Sequence, residues 1–518
     1  MPKSSFPKNN NSLQTTKHFL FAEEKFLELT RWLTSSETIR MKHSKLENAI
    51  TIEGRELLRR LLEEHIKFRG LGDVGSYIVG SDGVTRSHKR IHKRILITIF
   101  GEVVVERLGY GAKGKNSLFP KDASLNLPIE SYSHGIRKLI AREVSKNSFD
   151  EALDAVYQTT GVSIPKRAAE ILANKAVEDF DKFYQEQCSS RSLKEEKSSS
   201  LMVLTTDGKG IVMRREDLRE TTRKRSEKTQ HKLNKRKSRG EKANSKRMAT
   251  VASVYGIDAF TRTPKQIINE LTAEESISSI RPRPVAKRVW ASIEKSPEEV
   301  IENIFDEALH RDPKKQKIWV CLVDGDPKQL RRIRKEAKKR NVNLTIIIDV
   351  IHVIEYLWKA ARVFHEETSL EAEEWVTERL HGILQGKAGY IAAGMRRSAT
   401  LRKFSEKIRK PIDKCARYLI KYSPYLRYHD YLNKGFPIAT GVIEGACRNL
   451  IKDRMDVTGA RWSLKGAEAI IKLRSLRTSG DFENYWDFHE NQEYYRNYYS
   501  QYADPSILDE ITDKELLS

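Results

Sequence analysis

Lys317-Ile-Trp-Val-Cys-Leu-Val323 ends at Asp324, a basic stretch runs from Pro327 to Arg340, and Asn343-Leu-Thr-Ile-Ile-Ile348 ends at Asp349. The two apolar runs are short, rich in β-branched residues and bounded by turn residues, so they read as buried strands. The stretch between them reads as a basic helix. Strand, helix and strand in that order predict an α/β domain whose sheet is at least partly parallel. Leu201-Met-Val-Leu-Thr-Thr206, ending at Asp207, has the same form. Met248 to Tyr255 reads as a further strand, with Ile257 to Thr263 continuing it as a hairpin. A long helical region then runs to about Tyr422, in which Val376, Leu380, Ile383 and Leu384 form a core stripe.

Three strands therefore end in a carboxylate: Asp207, Asp324 and Asp349. In α/β sheets the crevice at the carboxyl ends of the strands is the usual site. One such Asp is ordinary turn or cap chemistry. Three are a stronger signal, because converging carboxylates repel one another unless a divalent cation neutralises them. Asp326, two residues after Asp324, would share its face. Asp324 directly ends the apolar run, whereas Asp326 precedes Pro327, where Asp is a natural helix cap. A fourth acid, Glu444, falls in a helix expected from Gly441 to Met455 with Thr440 as N-cap. Ile443, Cys447, Leu450 and Ile451 form its apolar stripe, and Glu444 lies at the stripe's edge. An exposed pair with Arg448, four residues on, is the plain alternative reading.

The 518 residues carry 94 Lys and Arg against 71 Asp and Glu, a net charge of +23. That excess excludes an acidic solvating chain and points to a polyanion, nucleic acid first and an anionic membrane surface second. No run approaches the ~18 apolar residues of a membrane span, and Met1 to Lys17 is polar, without the apolar core of a signal peptide. Cys188, Cys321, Cys415 and Cys447 lie far apart. They argue against a structural zinc or a disulfide framework and suit a reducing cytoplasm. Arg214 to Arg247 holds 15 basic and 5 acidic residues, and Thr478 to Ser518 holds 10 acidic and 2 basic. The first reads as a solvated DNA-tracking arm (Arg223, Lys224, Arg225, Lys235, Arg236, Lys237) or a plain charged helix. Within it, Lys235-Arg-Lys-Ser-Arg239 would serve nuclear import only in a eukaryote. The second reads as an acidic, aromatic tail packed on the body.

Residues 1–17 read as a disordered arm, and Phe19 to Phe68 as helical. Arg94 to Arg107 is β-rich, broken by Gly101. Pro128 to Cys188 is helical again, with Ser148-Phe-Asp-Glu151 as a capping box and a break at Gly161. Two helices across a short glycine turn suit either a helix-turn-helix or a plain hairpin. Residues 189–200 read as a linker.

Thr206-Asp207-Gly-Lys209-Gly210, Val323-Asp324-Gly325, Asp349-Val-Ile-His352 with Glu355-Tyr-Leu-Trp358, and Gly441-Val-Ile-Glu444-Gly-Ala-Cys-Arg448 resemble the blocks of bacterial ISKra-type insertion-sequence transposases. Lys452-Asp-Arg-Met455 and Gly459-Ala-Arg-Trp-Ser463 match as well. Upstream, Thr98 to Arg107, Leu125-Asn-Leu-Pro128 and Ser148-Phe-Asp-Glu151 are similar to the family's N-terminal half. The likeness covers roughly Arg94 to Tyr499 in family order.

The resemblance implies an α/β fold: an RNase H-like catalytic domain over 201–477, with a basic insertion at 214–247 and a helical insertion at about 353–428. A mainly helical DNA-binding region with a short β segment (18–188) would precede it, and the tail 478–518 would follow. It implies a DDE triad of Asp207, Asp324 and Glu444, holding two Mg²⁺ or Mn²⁺ ions. Asp349 and His352 would support it, Lys209, Arg448 and Arg461 would contact phosphates, and Trp462 would stack on a base or pack in the core. The implied activity is phosphodiester cleavage at transposon ends and strand transfer to target DNA. The implied setting is a homo-oligomer on double-stranded DNA in the cytoplasm, at the nucleoid. An RNase H-like nuclease or resolvase without strand transfer, or a non-catalytic DNA-binding descendant, are the alternatives.

Overall fold

The computed structural model describes residues 18–187, 199–228, 244–272, 281–457 and 459–508. The arm 1–17, nearly all of the linker, Lys235, Arg236, Lys237 and the last ten residues lie outside them. The chain forms two compact units, Met1–Asp179 with Asn484–Ser518, and Phe180–Glu483.

The first unit carries a two-stranded ribbon, β1 (Ile78–Val79) and β2 (Thr85–Arg86), and an antiparallel sheet, β3 (His88–Thr98), β4 (Gly101–Ala112) and β5 (Lys115–Leu118). Gly101 makes the β3–β4 turn at φ +123°, a value that excludes a side chain. The helix His43–Phe68 packs on β4. The helices His134–Val144, Phe149–Thr160 and Lys166–Lys175 pack on one another. Ser148 and Glu151 form the reciprocal capping box that starts the second of these, and Gly161 ends it in the left-handed conformation.

The C-terminal segment belongs to this same unit. Glu493 takes both terminal nitrogens of the buried Arg137 at 2.6 Å. His489, fully buried, meets Asp179 at 2.7 Å, and the Tyr485 hydroxyl donates to the Ala176 carbonyl. Glu493 of the acidic segment is thus matched by a buried guanidinium.

The second unit is built on five strands: β6 (Leu201–Val212), β7 (Lys246–Ile257), β8 (Val285–Ser292), β9 (Ile318–Val323) and β10 (Leu344–Ile348). Their order is β10-β9-β6-β7-β8. The first three are parallel, and β7 is antiparallel to both neighbours. The fold is therefore mixed α/β around a mixed sheet. One apolar core joins the sheet to the helices Pro297–Arg311, Pro327–Lys339 and Val350–Phe364, and to the later helices Leu370–Leu384, Ala388–Leu401 and Glu406–Tyr422. Val376, Leu380, Ile383 and Leu384 are buried in it.

Three sequence expectations need correction. β6 does not end at Asp207; it runs on to Val212, because Gly208 and Gly210 let it lie flat against Met248 and Lys246 of β7. Residues Ile257 to Thr263 form no hairpin arm: β7 instead pairs with β8, a strand the sequence reading did not assign. Thr440 makes no side-chain cap on the Gly441–Ala446 helix, since its hydroxyl is committed to Asp349.

Candidate active site

Strand order brings three carboxylates to one end of the sheet. β6 and β9 pair through Thr205 and Leu322, and β9 and β10 through Val323 and Ile348. Asp324 and Asp349 directly follow β9 and β10, and Asp207 lies two residues beyond the last β6–β9 pair, so the three acids stand at the same end of three neighbouring parallel strands. Asp207 and Asp324 are half-buried, and Asp349 is buried.

Each acid is held differently. Asp207 Oδ1 accepts from the Gly208 amide at 2.6 Å, while Oδ2 accepts the Cys447 thiol at 3.2 Å and lies 3.4 Å from Lys209 Nζ. Burial, with the charge of Asp207 beside it, pushes the Cys447 thiol far up, so it stays protonated as a donor. Past Thr205, β6 parts from β9, and Gln329 fills the gap by donating to the Thr206 carbonyl at 3.0 Å. Asp324 accepts from the Asp326 amide at 3.0 Å. Gly325 follows at φ +92°, where a Cβ would stand 3.2 Å from Ile348 Cδ1. Asp349 caps the Val350–Phe364 helix through the Ile351 amide and also accepts the Thr440 hydroxyl. Burial raises its carboxyl above the ordinary range despite those donors and the nearby His352.

Glu444 arrives on the helix that Thr440 ties to Asp349. The turn that follows, Cys447–Lys452, is a π-helix; such segments recur at functional sites. The Glu444 carboxylate has no ion-pair or hydrogen-bond partner among the described residues. Burial first, and then the negative charge of Asp349, raise it above its ordinary value; His352 and Lys209 offset part of this. Arg448 does not pair with Glu444: it lies 3.5 Å from Asp453 and is exposed. His352 sits 3.9 Å from Glu355.

The remaining candidates are more dispersed. Arg461 is exposed, and Trp462 is buried. The Trp462 indole donates to the Met455 carbonyl at 3.2 Å and has Arg454 over its ring, so it packs as a core residue and is closed to a stacked base. Arg223, Lys224 and Arg225 project from the exposed Glu220–Lys228 helix in the β6–β7 connection, with Lys224 paired to Glu220.

Asp326 is the N-cap of Pro327–Lys339, accepting from the Lys328 and Gln329 amides at 2.9 Å each. Asp326→Ala is expected to cost ~1 kcal/mol in a denaturant titration through loss of this cap, and to keep measurable cleavage.

Sequence reasoning missed three tyrosines. Tyr418 and Tyr422 on the Glu406–Tyr422 helix, and Tyr428 on the Tyr428–Asn433 helix, donate to the backbone carbonyls of Asp324, Gly325 and Ile348. They lock the strand ends that carry the acids. Helical spacing marks Tyr418 and Tyr422 as neighbours, but nothing in it assigns them to strand ends.

Among the described residues, no three His, Cys, Asp or Glu side chains stand close enough together to hold a metal ion. Asp207, Asp324 and Glu444 offer hard oxygens, without the thiolate or imidazole set that zinc favours. Among the described residues, no helix is long and apolar enough to cross a membrane.

No family model and no curated protein matches this chain. Among solved structures it is similar to the Drosophila P element transposase strand transfer complex, at 9% identity and a TM-score of 0.23, over 72% of this chain and 83% of that one. That is a distant structural neighbour.

Proposed function

We propose that the chain is a DDE transposase that cleaves phosphodiesters at the ends of its own element and joins the freed 3′ ends to target DNA. The placement of Asp207 and Asp324 at the same end of adjacent parallel strands, with Glu444 on a helix tied to the third by Thr440 and Asp349, carries this reading. The order β10-β9-β6-β7-β8, with the second strand antiparallel to the first, supports an RNase H-like arrangement for residues 201–477. The resemblance of the surrounding blocks supports the transposase class, and the net charge of +23 supports a nucleic-acid partner.

Asp207, Asp324 and Glu444 would hold Mg²⁺ or Mn²⁺, which, when bound in pairs, lowers the pKa of a water nucleophile and stabilises the leaving oxygen of an in-line displacement. The chain's own residues do the rest. Lys209 offsets phosphate charge beside Asp207, and Cys447 holds that carboxylate by a neutral donor that leaves its charge available. Asp349 positions rather than reacts: it fixes the start of one helix and, through Thr440, the start of the helix that bears Glu444. Within the N-terminal region, the helical pair from Ser148 to Cys188 is the proposed reader of the element's ends, since a helix fits the major groove. The working form would be an oligomer on DNA at the bacterial nucleoid.

Incubation of the full chain with Mg²⁺ and DNA carrying its flanking genomic ends tests the reading. Nicking at the element boundary followed by joining of the 3′ end to a second DNA is expected; nicking without joining would favour a nuclease or resolvase.

The basic connection gives a separate expectation. Replacing Arg223, Lys224 and Arg225 by Gln should weaken binding to all sequences alike, lowering the salt dependence by about 0.9 of a log–log unit per lost phosphate contact. An unchanged slope in binding isotherms would show that this arm stays off the DNA.

A further inference from the structure

The inserted helices leave a cleft of about 440 Å³ at the Asp324 end of the sheet. The acids Asp324, Asp326 and Glu355 line one part of it with His352 and Tyr356, and Lys414, Arg417 and Lys421 line another. These last three fall at i, i+3 and i+7 of the Glu406–Tyr422 helix, so they share one face and span about 10 Å at 1.5 Å per residue. All three are exposed, and none makes an ion pair among the described residues. That differs from many other exposed cations here, such as Lys359, which faces Glu355 at 3.4 Å.

The cleft also holds an aromatic platform. Tyr356 and Tyr418 are stacked, with ring centroids 4.1 Å apart and 19° between planes. Lys359 and Lys414 stand over the Tyr356 ring at 5.3 and 5.8 Å from its centroid. Lysine stems are flexible and can leave a ring face for a phosphate. Tyr418 also donates to the Asp324 carbonyl, which fixes the platform to the residue that opens the cleft.

We infer that this cleft binds a short unpaired stretch of nucleic-acid strand leading to Asp324. Lys414, Arg417 and Lys421 hold its phosphates, and Tyr356 receives a base. The volume is that of a small-molecule site, the scale of a short single strand rather than a duplex. A row of unpaired cations beside an aromatic face is the chemistry of single-strand binding, and the row is about as long as three nucleotides at 3.4 Å each. The inference rests on the proposed role of Asp324 in phosphodiester chemistry, and assigns to that site an unpaired substrate strand.

Fluorescence anisotropy with the full chain in EDTA tests it without any cleavage. The probes are a labelled blunt duplex and the same duplex carrying three unpaired nucleotides at its 3′ or its 5′ end. At least one extended probe is expected to bind about tenfold tighter than the blunt one. The triple variant Lys414→Gln, Arg417→Gln, Lys421→Gln should abolish that preference and lower the salt slope for the extended probe by about two log–log units, at ~0.7 per contact. Tyr356→Leu should weaken the extended probe by about fivefold or more through lost stacking, and Tyr356→Phe should restore it. Equal binding of all probes by the wild type, or a preference that survives the triple variant, would overturn the inference. Because no metal is present, a preference kept by a chain that never cleaves DNA would count against the transposase reading alone. Cleavage without the preference would count against the cleft alone.

Discussion

Asp324→Ala is expected to lower Mg²⁺-dependent cleavage of element-end DNA about 10³-fold, matching the several kcal/mol that a bound cation supplies to a charged transition state. Binding to the same DNA should persist, because the carboxylate holds metal and repels phosphate. Asp207→Ala and Glu444→Ala should behave alike. Asp349→Ala should fall between these and wild type: its carboxylate caps one helix and holds Thr440, so its loss displaces Glu444 without removing a ligand. Cleavage rates for this set beside Asp326→Ala decide the assignment, and full activity in either Asp324→Ala or Glu444→Ala would reject the triad.

The second large effect is on stability and lies in the first unit. Glu493→Ala takes from Arg137, which is 1% exposed, its two hydrogen-bonded carboxylate contacts and leaves only the Glu130 carboxylate, at 4.0 Å, among the described residues; breaking a buried pair costs about 3–5 kcal/mol. Burial pulls the Glu493 carboxyl upward, but the hydrogen bonds and charge of Arg137, with His489 and His134, outweigh it and hold the group below its ordinary value of 4.5. A carboxyl lowered on folding contributes stability that is present above the unfolded value and is lost as pH falls through the folded one. Urea titrations should therefore show the cost of Glu493→Ala in full at pH 7 and shrinking below about pH 4.5. A variant as stable as wild type at pH 7 would contradict the pairing.

Local rules made much of this chain legible. Ser148-x-x-Glu151 starts a helix because both halves of a capping box are adjacent in sequence. Asp326 before Pro327 reads as a cap because the pattern is complete within four residues. Apolar runs such as Val320 to Val323 read as buried strands because nothing else accommodates them. What stayed hidden depends on long-range partners. The extension of β6 past Asp207 is set by β7, some forty residues away, since two glycines alone argue for a turn. β8 begins with Val285-Ala-Lys-Arg288, too charged to read as a strand without its neighbour. Among the acids, spacing singles out Asp207, Asp324 and Asp349, but their place at one end of the sheet follows from a strand order that no single segment contains. The Cys447–Asp207 contact joins residues 240 apart. The commitment of Thr440 to Asp349 likewise replaces a local cap with a distant one.

The most direct test of the central claim, that Asp207, Asp324 and Glu444 form a divalent-metal site, is Mn²⁺ binding to the full chain followed by electron paramagnetic resonance, with and without Asp324→Ala. The account predicts up to two Mn²⁺ ions held by the wild-type chain, displaced by excess Mg²⁺, and lost in the variant. A wild-type chain that binds no Mn²⁺, or a variant that binds as much as wild type, would contradict it.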